Sequence, residues 1–207
     1  MAINKLRLRI AAVATVLAAS VMSLSAQPRY GVTVGGNIPV QRSTGVDGGY
    51  GIHTGGGFSG GLMFEYQFEK CGLALDASVL YTRASTKLYP EFINEPLDKT
   101  EYRLGNDFLQ IPLHAKYKFW LKSTKDLVGP FVYTGPSMMV RLDKDEKGAP
   151  KSNPLRATWD FGVGIDIINF LQISAGYRLG LSPMLSDYPN HLHYDGIDIR
   201  VSFLFDF

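Results

Sequence analysis

Apolar side chains recur at every second position along separate stretches of this chain, and that period of two limits its fold more than any other feature. From Trp159 the odd positions read Trp159, Phe161, Val163, Ile165 and Ile167, with Asp160, Gly162, Gly164 and Asp166 between them. The next stretch sets Leu171, Ile173, Ala175, Tyr177 and Leu179 against Gln172, Ser174, Gly176 and Arg178. The last sets Ile197, Ile199, Val201, Phe203, Phe205 and Phe207 against Asp198, Arg200, Ser202 and Asp206. A strand turns successive side chains to opposite faces, so each stretch reads as a strand with one apolar and one polar face.

Earlier stretches repeat the pattern. Leu109 to Phe119 alternates with Gln110, His114, Lys116 and Lys118; Phe58 to Phe68 alternates with Ser59, Met63, Glu65 and Gln67. Leu73 to Tyr81 alternates with Asp76 and Ser78, and Tyr30–Val40 and Val128–Leu142 are weaker strands of the same kind. The total is eight, an even number, as closure of a membrane barrel requires. Each is roughly ten residues, enough to cross a bilayer when tilted.

Alternation alone fits a soluble sandwich as well as a membrane barrel with the faces inverted. The N-terminus separates the two. Met1–Arg9 carries Lys5, Arg7 and Arg9 and no acid, Ile10–Leu24 is apolar, and Ser23-Leu24-Ser25-Ala26 is small-rich. Basic, apolar, small is the order of a secretory signal peptide. Residues 1–26 are therefore assigned to the signal, with Ser25 the alternative cut, and residues 27–207 to one barrel domain. Removing those three bases from 21 leaves 18 against 19 acids, so the mature domain is near neutral and no nucleic-acid partner is expected.

The links alternate in length. Short ones fall at Glu69–Gly72, Lys122–Leu127 and Ile168–Phe170. Long ones fall at Gln41–Gly57, Ala84–Asp107, Asp143–Arg156 and Ser182–Gly196. Short periplasmic turns and long external loops are the outer-membrane pattern. It puts both termini in the periplasm. Tyr30, Tyr66, Phe68, Phe119, Phe205 and Phe207 then form the periplasmic rim, and Tyr81, Trp159 and Tyr177 the outer one, where amphipathic rings belong. The expected fold is an all-β, eight-stranded, antiparallel up-and-down transmembrane barrel in the outer membrane.

Phe108-Leu109-Gln110-Ile111-Pro112-Leu113 opening one strand, then Gly129-Pro130-Phe131-Val132-Tyr133-Thr134-Gly135-Pro136-Ser137 in the next, resembles the PorT-like outer-membrane β-barrel family of Gram-negative bacteria. The resemblance runs across most of the mature chain. It implies a small barrel of OmpA or OmpX shape, and PorT itself is associated with protein secretion across the outer membrane. No functional residue carries over, because the matched positions look structural. The terminal strand ends in Phe207, suited to the barrel-assembly machinery, but lacks the mid-strand glycine such strands often have.

The polar face carries the candidate site. Glu65, Asp76, Asp160, Asp166 and Asp198 are expected to project inward with Lys116, Lys118, Arg178 and Arg200. Buried charges are expensive unless paired, so five acids and four bases predict an interior charge network. Eight strands leave a lumen that side chains fill, which predicts a non-conducting barrel. The tight link at Ile168-Asn169-Phe170 sets opposed residues whose numbers sum to 338, which places Asp160 opposite Arg178. The glycines beside that pair leave room for Lys116 or Tyr133.

No catalytic, cofactor-binding or metal residue is assigned. His191-Leu192-His193, in a polar loop with Asp187 and Asp195 near, has a metal-compatible spacing but reads as solvated. His114 faces inward without an evident serine partner, against an enzyme. Gly55-Gly56-Gly57 precedes a strand and lacks a following lysine, so it reads as flexible loop and no phosphate site. Cys71, the lone cysteine, reads as a turn residue, and Asp143-Lys144-Asp145-Glu146-Lys147 as a solvated tip. The expected partners are outer-membrane lipids, the assembly machinery, and proteins meeting the external loops or periplasmic turns. The expected role is structural, binding or secretion-associated. The alternatives are a narrow pore for small solutes and a membrane-embedded lipid-modifying enzyme.

Overall fold

The computed structural model describes residues 26–44, 50–68, 72–90, 102–103, 107–119, 127–143, 153–183 and 191–206. The expected signal segment before Ala26, Cys71, Asp187, Phe207 and the charged stretch after Asp143 lie outside them. The strands are β1 (Ala26–Thr44), β2 (Tyr50–Phe68), β3 (Leu73–Pro90), β4 (Tyr102–Arg103), β5 (Asp107–Lys118), β6 (Val128–Arg141), β7 (Leu155–Ile167), β8 (Leu171–Gly180) and β9 (His191–Asp206). β4 is a two-residue piece on the edge of β3. The other eight pair antiparallel in the order β2-β1-β9-β8-β7-β6-β5-β3, and a β2–β3 pairing closes the ring. Both described ends of the chain lie at the short-turn end, where Ala26 opposes Phe68 and Arg29 opposes Asp206.

The faces are inverted relative to a water-soluble protein. Leu62 is 67% exposed and Val163 59%, whereas Glu65, Thr82 and Gln110 are fully buried. Soluble proteins almost never bury such charge while baring such residues. A closed sheet satisfies every backbone group within itself, as a bilayer core demands.

Four expectations change. Within the links expected at Gln41–Gly57, Ala84–Asp107 and Ser182–Gly196, most of the described residues are strand: 41–44, 50–57, 84–90, 102–103 and 191–196. β1 continues to Thr44 opposite His191, and β2 starts at Tyr50 opposite Pro90. Four strands thus stand above the rest of the barrel as one wall. Beyond the bilayer a strand has no lipid face, so its alternation fades and its sequence looks like a polar loop. Accordingly, Gly55-Gly56-Gly57 lies within β2, at a register shift between Gly55 and Phe58, and His191-Leu192-His193 lies in β9 opposite Arg42–Thr44. Phe68 is not part of an exposed rim: it is buried, with its ring 5.3 Å edge-on from Tyr66.

The β7–β8 register is the one the sum of 338 requires: Asp166 opposes Gln172, Gly162 opposes Gly176 and Asp160 opposes Arg178. The turn between them holds Ile168 and Asn169 both at φ 53°, closed by Phe170 N–H donating to Ile167 O at 3.1 Å. Two left-handed residues in succession make the tight turn whose twist matches its strands.

Candidate functional site

The nine charged residues named from the alternation all turn into the lumen and are buried. They form two linked tiers. At the short-turn end, Glu65 is the centre. It accepts hydrogen bonds from Lys118 Nζ at 2.6 Å, Lys116 Nζ at 2.9 Å, Gln172 Nε2 at 3.0 Å and Arg29 Nη1 at 3.0 Å. Asp166 accepts from Lys118 at 2.7 Å, Gln172 at 3.0 Å and Arg29 at 3.2 Å. Charge-assisted bonds of this length are among the strongest a protein makes.

The second tier is higher in the lumen. Arg178 Nη2 stands 2.7 Å from both carboxylate oxygens of Asp198. Its Nε reaches Asp160 only at 3.7 Å, and Arg200 reaches Asp160 and Asp198 at 3.6 and 3.7 Å. The opposed pair Asp160–Arg178 is thus in contact, but the closer partner of Arg178 is Asp198, across β8–β9. His114 lies between two acids, Nδ1 at 3.2 Å from Asp76 and Nε2 at 3.4 Å from Asp160. Lys116 joins the tiers, 3.0 Å from Asp76.

Glycines shape the lumen as much as charges do. A Cβ built on Gly162 would stand 2.7 Å from Tyr133 Cε1, and one on Gly164 would stand 2.8 Å from Phe131 Cε1. The large rings of β6 therefore lie across the bare backbone of β7 and β8. Nearer the loops, Arg156 stacks on Phe108 at 4.7 Å and Tyr194 at 5.2 Å, a cation–π layer above the charged tiers. Close by, buried Asp195 accepts from Tyr177 Oη at 2.8 Å and from Gly180 N–H at 2.8 Å.

The sequence reading omits Arg29 and leaves His114, Gln172 and the Arg156 layer outside the network. Arg29 precedes Tyr30, where the apolar alternation of the first strand starts, whereas β1 itself begins at Ala26. Extending the alternation of Gly31 and Thr33 back one step puts Arg29 on the inward face. With it, the five acids of the network face five bases; among the described residues, buried Asp195 and buried Arg156 add one of each. Among the described residues no group of three metal-ligating side chains is assembled. The ring nitrogens of His114 face carboxylates and no serine.

A family model described as outer membrane protein beta-barrel domain matches residues 22–186. No curated protein matches the chain. Among solved structures, the outer membrane protein OprG of Pseudomonas aeruginosa is similar over 88% of this chain and 97% of its own, at 11% identity and a TM-score of 0.59. Neisserial surface protein A is similar over 87% of this chain and 99% of its own, at 17% identity and a TM-score of 0.45. What OprG shares with this chain is the fold.

Proposed function

We propose that this chain, which belongs to the outer membrane protein β-barrel domain family, is a non-conducting barrel that serves the envelope by binding other components. The observation that supports this reading is the continuous contact across the lumen. Lys118 from β5 meets Glu65 from β2 and Asp166 from β7, and Arg29 from β1 meets the same two acids. A hydrated ion crossing that tier would have to break several charge-assisted bonds at once.

In this reading the short turns and both termini face the periplasm. The raised wall of β1, β2, β3 and β9 faces outward and presents backbone and loops to a protein partner. The resemblance to PorT-like barrels points that partnership toward a secretion or envelope assembly. The barrel acts by holding and presenting surfaces, not by catalysis: His114, the inward histidine, is engaged by two carboxylates.

The test is planar-bilayer recording on the refolded protein. The expected result is no steady channel in wild type, and ion-conducting events when Glu65 is replaced by Ala. Steady high conductance in wild type would overturn the reading.

A further inference from the structure

Between the two charged tiers lies a cavity of about 20 Å³. It has room for a single water- or halide-sized particle and not for a phosphate or carboxylate. Three cationic or protonatable side chains line it, Arg200, Lys116 and His114, with the hydroxyl-bearing Ser78, Ser174 and Tyr133. Asp76 lines it as well: its Oδ1 faces His114 Nδ1 at 3.2 Å, and its Oδ2 is ion-paired with Lys116 Nζ at 3.0 Å but makes no hydrogen bond.

Two observations point to an occupant. Arg200 is only 8% exposed, yet its guanidinium approaches Asp160 and Asp198 no closer than 3.6 and 3.7 Å, and its Nε is buried without a hydrogen-bond partner. A buried donor left unmade is costly, and of the buried arginines with such a nitrogen Arg200 is the one that lines this cavity.

The second observation is charge. Ionised carboxylates only accept hydrogen bonds, and a neutral imidazole has one donor. His114 sits between two carboxylates, so it satisfies both only as the imidazolium. Among the described residues six buried acids are already matched by six buried arginines and lysines. A proton on His114 therefore leaves these buried groups with one positive charge more than they balance, which is expensive away from water.

We propose that this cavity binds one small monovalent anion of halide size, taken up together with a proton on His114. The anion completes Arg200 and restores neutrality. Every wall has a say in that proton: Glu65 of β2, through Lys116; Asp76 of β3; Lys116 of its own strand; Tyr133 of β6; Asp160 of β7; Arg178 of β8; Asp198 and Arg200 of β9. β1 brings the uncharged Thr33 to the cavity. This inference goes beyond the binding role proposed above and does not depend on it.

The probe is bromide, located by anomalous scattering in crystals of the refolded protein soaked in sodium bromide. At pH 6 one peak is expected in the cavity, and its occupancy should fall several-fold at pH 9. Arg200→Gln and His114→Asn, each first shown folded by its faster migration on an unheated gel, should both lose the peak. Ser174→Val, which leaves every charge in place and fills the cavity, should lose it too and decides the matter if the charge variants do not fold. No peak at pH 6 would overturn the proposal. A peak that persists in these variants means an adventitious ion only, and one that is unchanged at pH 9 removes the proton from the account.

Discussion

Around Glu65 the ion pairs of the lower tier run from 2.6 to 3.2 Å, whereas the ion pairs of Asp160 run from 3.4 to 3.7 Å. The residue types are similar, and the difference is in how the cations arrive. Two compact lysine ammonium groups from β5 and one guanidinium from β1 converge on Glu65 and Asp166, and the ammonium groups can turn to fit. At Asp160 the nearby arginines are planar, and Arg178 is already committed to both oxygens of Asp198. The lower tier is therefore the tightly bonded layer that the proposed seal requires, and the upper tier the looser one, with the cavity beside it.

The largest expected effect separates the tiers. Glu65→Ala strands the positive charges that converge on it, which for a buried network costs on the order of 3–5 kcal/mol. Asp160→Ala removes longer contacts and should cost less, about 1–3 kcal/mol. Urea titration of the refolded protein in lipid vesicles measures both. Equal losses would erase the distinction between seal and loose layer.

A double-mutant cycle sharpens the same comparison within the upper tier. Arg178 and Asp198 should couple by about 2–3 kcal/mol, and Arg178 and Asp160 by about 0.5–1 kcal/mol, the range for contacting groups in one network. A stronger Asp160 coupling would mean that strand register, and not side-chain geometry, ranks the partners.

That result bears on what the sequence can reveal. Alternation assigns faces, so the inward position of Glu65, Lys118, Asp166 and Arg178 was legible, as was the β7–β8 register around Asn169. Alternation says nothing of neighbours across a lumen. Glu65 and Lys118 belong to strands separated by β3, and Glu65 and Asp166 come together only when the ring closes. Lipid contact was the second source of legibility. Where strands face the bilayer, the alternation marks the end of β7 at Ile167 and both ends of β8 closely, although β7 begins at Leu155, ahead of the apolar series from Trp159. Where β1, β2, β3 and β9 rise beyond it, Thr, Ser, Gly and His replace the apolar series, and strand could not be told from loop. Ile168 was legible only as part of a tight link. Nothing in its own propensity announces a left-handed backbone at a β-branched residue.

The smallest expected effect concerns that turn. A left-handed conformation costs a non-glycine residue roughly 1–2 kcal/mol, and Asn-Gly is the pair that such turns favour. Replacing Ile168 with Asn together with Asn169 with Gly should stabilise the barrel by about 1 kcal/mol in the same urea titration. Ile168 is 64% exposed, so little packing is lost. A net destabilisation would show that the exposed Ile168 side chain has a contact worth more than the strain.

The central claim is that the apolar face meets lipid and the charged face lines a closed lumen. Nitroxide labels on single cysteines, in a Cys71→Ser background and in lipid vesicles, test it most directly. Labels at Val163, Ile173 and Ile199 should collide freely with oxygen dissolved in the acyl chains and hardly at all with a water-soluble nickel chelate. Cysteines placed at Ser78, Ser174 and Ser202, which line the packed lumen, should resist reaction with the nitroxide reagent in the folded barrel. Strong collision of the Val163, Ile173 and Ile199 labels with the nickel chelate, or ready labelling of the serine-site cysteines in the folded barrel, would contradict the account.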